Sequence, residues 1–175
     1  MDITETRSSP GAATAVTELY AGHALGLVRL AVLLVGDRAS AEDVVQDAFL
    51  GLYRRWDQLP DTSAPLAYLR VSVLNGCRTV LRGRSRSLRA SATAAAEPPP
   101  AESAEARALL SEEQRTVALA LRRLPVRQRE ALVLRYYLDL SEQEIAAAMG
   151  ISRGTVKSAT SRALAAIGQL LKEGS

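Results

Sequence analysis

Residues 140–166 read LSEQEIAAAMGISRGTVKSATSRALAA, and this stretch decides the fold. It predicts two short helices around a tight turn. Ser141 followed by Glu144 has the pattern of a capping box, and Gly150 ends the first helix because glycine adopts the left-handed backbone at little cost. Ser152 stands where it would cap the second helix. This order predicts a helix-turn-helix, whose second helix enters the major groove of DNA.

The second helix has two faces of different chemistry. The residues predicted to face inward are apolar: Val156, Ala159, Ala163, Leu164 and Ile167. The residues predicted to face DNA are basic or hydroxylated: Arg153, Lys157, Ser158, Ser161 and Arg162. A plain helical hairpin with a solvated basic face is the alternative. The spacing of the small and apolar residues favours DNA reading.

Composition limits the remaining possibilities. A chain of 175 residues rich in Ala, Leu and Arg favours one large or two small helical domains. Its net charge of +3 is modest, so DNA binding would rest on local patches. The single Cys77 excludes a disulfide framework and favours a small buried hydrophobe, and the single His23 favours a surface or packing role. We expect no metal, no other cofactor and no enzymatic activity.

Localisation follows from two further expectations about the chain. No apolar run is expected to span a membrane, so no membrane insertion is predicted. Residues 1–14 lack the basic and apolar regions of a signal peptide and are predicted to form a disordered tail. Together these features predict a cytoplasmic protein.

Three helices are predicted in the first half of the chain. The first covers residues 16–34, and Ser40 is expected to cap the second, AEDVVQDAFLGLYRRW, at residues 41–56. Spacing alone favours an ordinary amphipathic helix there. The third begins near Pro65. Between residues 70 and 89 the chain has six arginines and no acidic residue, which predicts a phosphate-binding surface, with a solvated basic helix end as the alternative.

A change of composition divides the chain into two domains. Residues 90–105 are rich in Ala, Ser, Pro and Glu, which predicts a flexible linker. A second helical unit then begins near residue 106, and its next helix follows Pro125, with Tyr136 expected mostly inward and Tyr137 at the core edge. The predicted fold is all-α, with small helical domains at residues 15–89 and 106–172.

These motifs, in this order, resemble the sigma-70 family of bacterial RNA polymerase sigma factors. AEDVVQDAFL (residues 41–50), and the later helix with Asn75 ahead of the arginine run, resemble region 2. Residues 124–167 resemble region 4, with its helix-turn-helix. Two such domains with a linker in place of a middle region are typical of the group IV, or extracytoplasmic-function (ECF), type. The high Ala and Arg content is similar to that of actinobacterial proteins.

The resemblance implies a role for each region in promoter-specific initiation of transcription. It implies that Asp43, Gln46, Asp47 and Phe49 dock on the clamp helices of the largest catalytic subunit of core RNA polymerase, which replaces the ordinary-helix interpretation. It implies that region 4 meets the flap of the second large subunit and that its outer face reads the minus-35 element of promoter DNA. The residues matched to melting and reading of the minus-10 element are Asp61, Thr62, Ser63, Tyr68, Asn75, Arg78, Arg82 and Arg84.

Two other classes of function are weighed against this one. A helix-turn-helix regulator that binds operator DNA as a dimer would share the C-terminal half but not the region 2 motif. An enzyme acting on nucleic acid would need paired carboxylates, a Gly-rich phosphate loop or a metal cluster, and the sequence offers none. The resemblance also implies that an anti-sigma factor is a possible partner. We expect an extended active state and a compact or partner-bound inactive state that covers the polymerase-binding face and Arg162 together.

Overall fold

The chain is entirely helical in the part that the computed structural model describes, residues 10–59, 64–91 and 111–173. The elements, in chain order, are α1 (Pro10–Val35), α2 (Arg38–Arg55), a 3-10 turn (Trp56–Gln58), α3 (Pro65–Ser91), α4 (Glu112–Arg122), α5 (Val126–Tyr136), α6 (Glu142–Met149) and α7 (Arg153–Glu173). The all-α prediction is confirmed. The predicted loop residues 61–63 and most of the predicted linker lie outside the described residues.

Helices α1, α2 and α3 form the N-terminal lobe, in which each helix packs against the other two. Its interior is filled by fully buried leucines, among them Leu30, Leu52 and Leu69. Helices α2 and α3 approach closely where α3 has Gly76, because a Cβ there would lie 2.7 Å from Cγ1 of Val44. At this crossing Asp43 and Asp47 of α2 border the same cavity as Ser72 and Thr79 of α3.

The junction between α1 and α2 corrects the predicted helix start. The N-cap is Asp37 rather than Ser40, and its side chain accepts a hydrogen bond from the Ser40 amide at 2.8 Å. Gly36 precedes it with a φ of +89°, a backbone conformation that glycine adopts without strain. Burial raises the pKa of Asp37, but hydrogen bonds from Ser40 and Arg84 outweigh burial and hold the pKa below its usual value.

Helices α4 to α7 form the C-terminal lobe, with α7 packed against α4, α5 and α6. Leu134, Ile145 and Val156 are fully buried at its centre. Ser111 begins the lobe with a capping box to Gln114, which satisfies backbone donors at the start of α4. Tyr136 was predicted to face mostly inward, but it is 63% exposed, whereas Tyr137 is half-buried and donates a hydrogen bond to the Gly26 carbonyl at 3.3 Å.

The two lobes share one continuous hydrophobic core. Helix α1 packs against α4 and α5, and α3 packs against α6. The predicted boundaries shift slightly, because α1 begins at Pro10, inside the predicted tail, and α3 continues to Ser91, beyond the predicted end at residue 89. Closed packing of the lobes was one of the two states expected from the sequence.

The expectation that no apolar run reaches membrane-spanning length was wrong. Residues Gly11–Val35 of α1 are long and apolar enough to cross a membrane by length and composition, with a mean hydropathy of 1.5. Buried core helices of globular proteins have the same properties, and 44% of that apolar window is buried inside this structure. The residues of α1 that face α2 and α3, among them Leu27, Leu30 and Leu34, are buried, as predicted for this helix.

Candidate nucleic-acid and polymerase interface

Local capping interactions build the helix-turn-helix as the sequence predicts. Ser141 and Glu144 form the capping box, and Gly150 ends α6 in the left-handed conformation, with φ 65° and ψ 37°. The Ser152 hydroxyl accepts a hydrogen bond from the Thr155 amide at 3.1 Å and so caps α7. Hydrogen bonds from Ser141 lower the pKa of Glu144, which keeps the capping carboxylate ionised at neutral pH.

The outer face of α7 is largely open to solvent. Arg153, Lys157, Ser161 and Arg162 are exposed, and Ser158 is half-buried. On the inner face Val156 and Ala163 are fully buried, as predicted, but Leu164 is exposed. The predicted inward position of Leu164 was therefore wrong, and the side chain instead borders an apolar groove together with Tyr136. The five residues predicted to read DNA lie on one accessible stretch of helix.

Helix α3 carries the described residues that were matched to the minus-10 element. Asn75 and Arg82 are exposed, whereas Tyr68 is half-buried against α2, its hydroxyl 3.1 Å from where a Cβ on Gly51 would lie. A cavity of about 370 Å³ lies between α2 and α3 and is bordered by Tyr68. Asp61, Thr62 and Ser63, also matched to this element, lie outside the described residues.

Two arginines of α3 are bound by acidic groups within the protein. Arg84 donates hydrogen bonds to Asp37, to the Ser40 hydroxyl at 2.9 Å and to the Val35 carbonyl at 2.5 Å. This geometry gives Arg84 a structural role at the α1–α2 junction, where the sequence interpretation placed a DNA contact. Arg78 forms a two-pronged ion pair with Glu130 of the other lobe, and hydrogen bonding to that carboxylate raises the pKa of Arg78.

The face of α2 that was matched to polymerase binding is also exposed. Asp43, Gln46 and Asp47 point away from the core, but Phe49 is only 5% exposed and packs edge-on against Tyr20, with ring centroids 5.0 Å apart. A ring in that position supports the helix from inside, so in this structure Phe49 is a core residue and is not on the accessible face that its match to polymerase binding implies. Leu50 is a large apolar side chain of the same helix that is 45% exposed, and the sequence interpretation did not include it among the accessible residues of α2.

Closed packing leaves several predicted binding residues accessible. Asp43, Gln46 and Asp47 are exposed in the same structure that exposes Arg162. The expectation that a compact state covers the polymerase-binding face and Arg162 together was therefore wrong. Packing of the lobes instead occupies Arg78.

Neither Cys77 nor His23 forms a chemical site. Cys77 is buried, and burial together with the negative charge of Glu130 raises the pKa of its thiol to about 12. The thiol is therefore protonated at neutral pH, which confirms its prediction as a buried hydrophobe. His23 lies on the exposed side of α1, in agreement with the surface role predicted for it.

Fold and surface together define a two-lobed helical DNA-binding protein with a C-terminal helix-turn-helix. Comparison with family models matches residues 19–87 to Sigma-70 region 2 and residues 114–167 to Sigma-70, region 4. The chain belongs to the sigma-70 family, and its relatives include RNA polymerase sigma factors of the ECF type.

Two characterised groups of relatives support this assignment. The chain is 38% identical over 143 residues to the RNA polymerase sigma-E factor of Streptomyces coelicolor, covering 79% of this chain and 76% of that one. It is 33% identical over 160 residues to the ECF RNA polymerase sigma factor SigL of Mycobacterium tuberculosis, covering 89% and 88%. Both organisms are actinobacteria, consistent with the compositional prediction.

Solved structures show the same fold. The sigma factor RpoE of Bartonella quintana, in complex with the anti-sigma factor NepR, aligns with a TM-score of 0.70 and 29% identity over 89% of this chain and 95% of that one. CnrH, in complex with the cytosolic domain of CnrY, aligns with a TM-score of 0.68 and 28% identity over 94% and 96%. Family membership therefore favours the sigma-factor interpretation over the operator-binding regulator.

Proposed function

We propose that this cytoplasmic protein binds core RNA polymerase through α2 and selects promoters through α7 and α3, without catalysing a reaction itself. The observation that carries the proposal is the division of binding faces between the lobes. A capped recognition helix exposes Lys157 and Arg162 on one lobe, and Asp43 and Asp47 are exposed on the other.

Helix α7 suits duplex recognition of the minus-35 element. Its 21 residues follow a capped turn, and its first three turns bring hydroxyl and basic groups to one side. Arg162 has the planar fork that pairs with two acceptors of guanine, whereas Lys157 offers a point charge. We infer that Arg162 reads a base edge and that Lys157 contributes mainly phosphate attraction.

Helix α3 suits capture of an unpaired strand at the minus-10 element. Tyr68 offers an aromatic ring beside the α2–α3 cavity, and Asn75 and Arg82 lie along the exposed side of α3. The cavity is also bordered by Asp43 and Asp47. Those carboxylates repel phosphate, so a neutral base is the better occupant of the cavity. The exposed arginines of α3 would attract the phosphates of the DNA backbone outside it.

An anti-sigma factor is proposed as a further partner. One structural neighbour, RpoE, is in complex with the anti-sigma factor NepR. A second, CnrH, is in complex with the cytosolic domain of CnrY. An apolar groove of about 440 Å³ between the lobes, bordered by Leu33, Val117, Leu132 and Tyr136, supports docking of an apolar helix face.

Run-off transcription with purified core polymerase tests the main proposal. Wild-type protein should direct initiation from a cognate promoter, and Asp47→Arg should weaken core binding about tenfold or more because it places a positive charge on the acidic docking face. Glu18→Arg, the same reversal at an exposed position of α1, is the matched control. Unchanged core affinity in a folded Asp43→Arg, Asp47→Arg double variant would contradict the proposed docking face.

A further inference from the structure

An ion pair between the lobes joins Arg78 of α3 to Glu130 of α5. Nε and Nη2 of Arg78 donate to the two carboxylate oxygens of Glu130, each at 2.8 Å. This is the parallel, two-bond geometry that gives arginine–carboxylate pairs their strength. Glu130 is 1% exposed, so the packed lobes exclude solvent from the acidic partner.

The same arginine is hydrogen-bonded to a second residue of the proposed single-strand surface. Nη1 of Arg78 donates to Oδ1 of Asn75 at 3.2 Å. All three nitrogens of the guanidinium are therefore engaged within the chain. A guanidinium has five N–H groups, but a DNA phosphate that pairs with Nε and Nη2 must displace Glu130, so phosphate and Glu130 compete for that edge of Arg78.

Further contacts hold the lobes in this arrangement. Arg129, next to Glu130, donates to the Leu34 carbonyl at the C-terminal end of α1 at 2.6 Å, and Arg122 donates to the Gly36 carbonyl. These cations lie where the α1 helix dipole is negative and its last carbonyls lack helical partners. The Glu130 contact is thus one part of an ordered interface that also includes apolar packing.

The interface affects the proposed binding faces unequally. It occupies Arg78, while Asp47 on α2 and Lys157 and Arg162 on α7 are exposed. Polymerase and duplex DNA therefore meet accessible residues on the closed chain, whereas a single strand meets an arginine that is already neutralised.

We propose that Glu130 acts as an internal competitor of the promoter single strand and, together with the apolar packing between the lobes, holds the free chain in a closed state that occupies Arg78. This inference rests on the proposed function, because it assigns regulation to the proposed minus-10 surface. Separation of the lobes releases Arg78 and returns Glu130 to water. The apparent affinity for a single strand is then the affinity of the open chain multiplied by the open fraction.

Fluorescence anisotropy with a labelled single-stranded oligonucleotide tests the competition on the full chain without polymerase. Glu130→Gln should bind the strand about tenfold more tightly than wild type, because a neutral amide holds the guanidinium more weakly than a carboxylate does. Glu112→Gln makes the same charge change on the same lobe, at an exposed ion pair within α4, and should leave affinity unchanged. Binding of duplex minus-35 DNA should be equal in all three proteins.

Small-angle X-ray scattering measures closure itself. Glu130→Gln should increase the radius of gyration, and the exchanged pair Arg78→Glu with Glu130→Arg should return it to the wild-type value while leaving single-strand binding weak. Because the exchanged pair keeps both partners of the contact, it also tests closure if Glu130→Gln folds poorly.

Two results would overturn the proposal: unchanged single-strand affinity in Glu130→Gln, or an equal gain in Glu112→Gln. Run-off transcription distinguishes failure of the proposed sigma function from failure of the proposed competition by Glu130. If wild type and Glu130→Gln both support transcription but do not differ in size or strand affinity, the internal competitor is wrong and the sigma function stands. If neither supports transcription although Glu130→Gln opens, the function is wrong and the closure remains.

Discussion

Replacement of Arg84 by alanine should destabilise the protein rather than weaken its DNA binding. The guanidinium links the last turn of α1 to the cap of α2 through hydrogen bonds to Val35, Asp37 and Ser40. The six-arginine pattern in the sequence predicted a phosphate contact at this position, so the two interpretations of Arg84 make opposite predictions.

The magnitude follows from the number and exposure of these bonds. A hydrogen bond to a charged group contributes about 1.5–3 kcal/mol when well buried. The side chains of Arg84 and Asp37 are 30% and 19% exposed, so water replaces part of each lost interaction. We therefore expect a total loss of about 2–3 kcal/mol, which lowers Tm by about 4–12 °C for a chain of this size.

The pH dependence provides an independent check on the same pair. The folded-state pKa of Asp37 lies below its ordinary value of 3.8. A carboxylate with a lowered pKa contributes stability that is fully present above its unfolded pKa and is lost as pH falls through the folded pKa. The difference in Tm between wild type and Arg84→Ala should therefore be largest near pH 7 and should narrow below about pH 4.

Thermal unfolding followed by circular dichroism from pH 7 to pH 3 measures both effects. Arg82→Ala is the matched control, because Arg82 is exposed two residues earlier on the same helix and, among the described residues, its side chain donates only to the nearby Thr79 hydroxyl, at 3.3 Å. That variant should keep the wild-type Tm and lower the salt dependence of DNA binding by about one phosphate contact. An unchanged Tm in Arg84→Ala, with reduced salt dependence, would refute the structural role of Arg84.

Two further predictions concern the α2–α3 crossing and base reading. Gly76→Ala should lower the free energy of unfolding by about 1–3 kcal/mol in urea titrations, because the new methyl would lie 2.7 Å from Val44. Gly83→Ala is the control, because no neighbouring atom lies within 4 Å of its new methyl. That variant should be neutral or stabilising by up to about 1 kcal/mol. Arg162→Ala should cost about 1–3 kcal/mol at one upstream base pair, measured by holoenzyme binding to matched and mismatched promoters; an equal loss on every sequence would identify a phosphate contact instead.

The sequence predicted the helix-turn-helix well because its signals are local. The capping box at Ser141 and the left-handed Gly150 depend on residues within one turn of the helix. The start of α2 was placed wrongly at Ser40 because aspartate and serine are both good N-caps. Only the contact from Arg84, 47 residues away, shows why Asp37 is the residue held in that position.

Faces that depend on distant packing were harder to predict. Helical spacing correctly places Phe49 on an apolar stripe, and it was the family resemblance that assigned the ring to polymerase. Spacing also places Tyr136 inward, but it does not show which part of a stripe another helix covers. Tyr20 of α1 covers Phe49, while Tyr136 borders an open groove. The pairing of Arg78 with Glu130 spans 52 residues and both lobes, and the sequence contains no local signal for it.

The same long-range pair limits how the protein is switched between closed and open states. Changing a population from about 1:99 to 99:1 open requires about 5.5 kcal/mol of differential binding. Breaking one ion pair between the buried Glu130 and the partly exposed Arg78 costs about 3–5 kcal/mol at most, so Glu130 alone does not hold the lobes together, and the apolar packing of α1 against α4 and α5 must share the task. We expect polymerase to be the opening agent, because a partner that engages both lobes can bind the open chain more tightly than the closed one. The proposed docking residues on α2 are exposed in the closed chain, so they allow polymerase to bind first but do not themselves favour opening. If Glu130 competes in this way, Arg78 becomes available only after polymerase has separated the lobes, and we expect single-strand binding to follow polymerase binding.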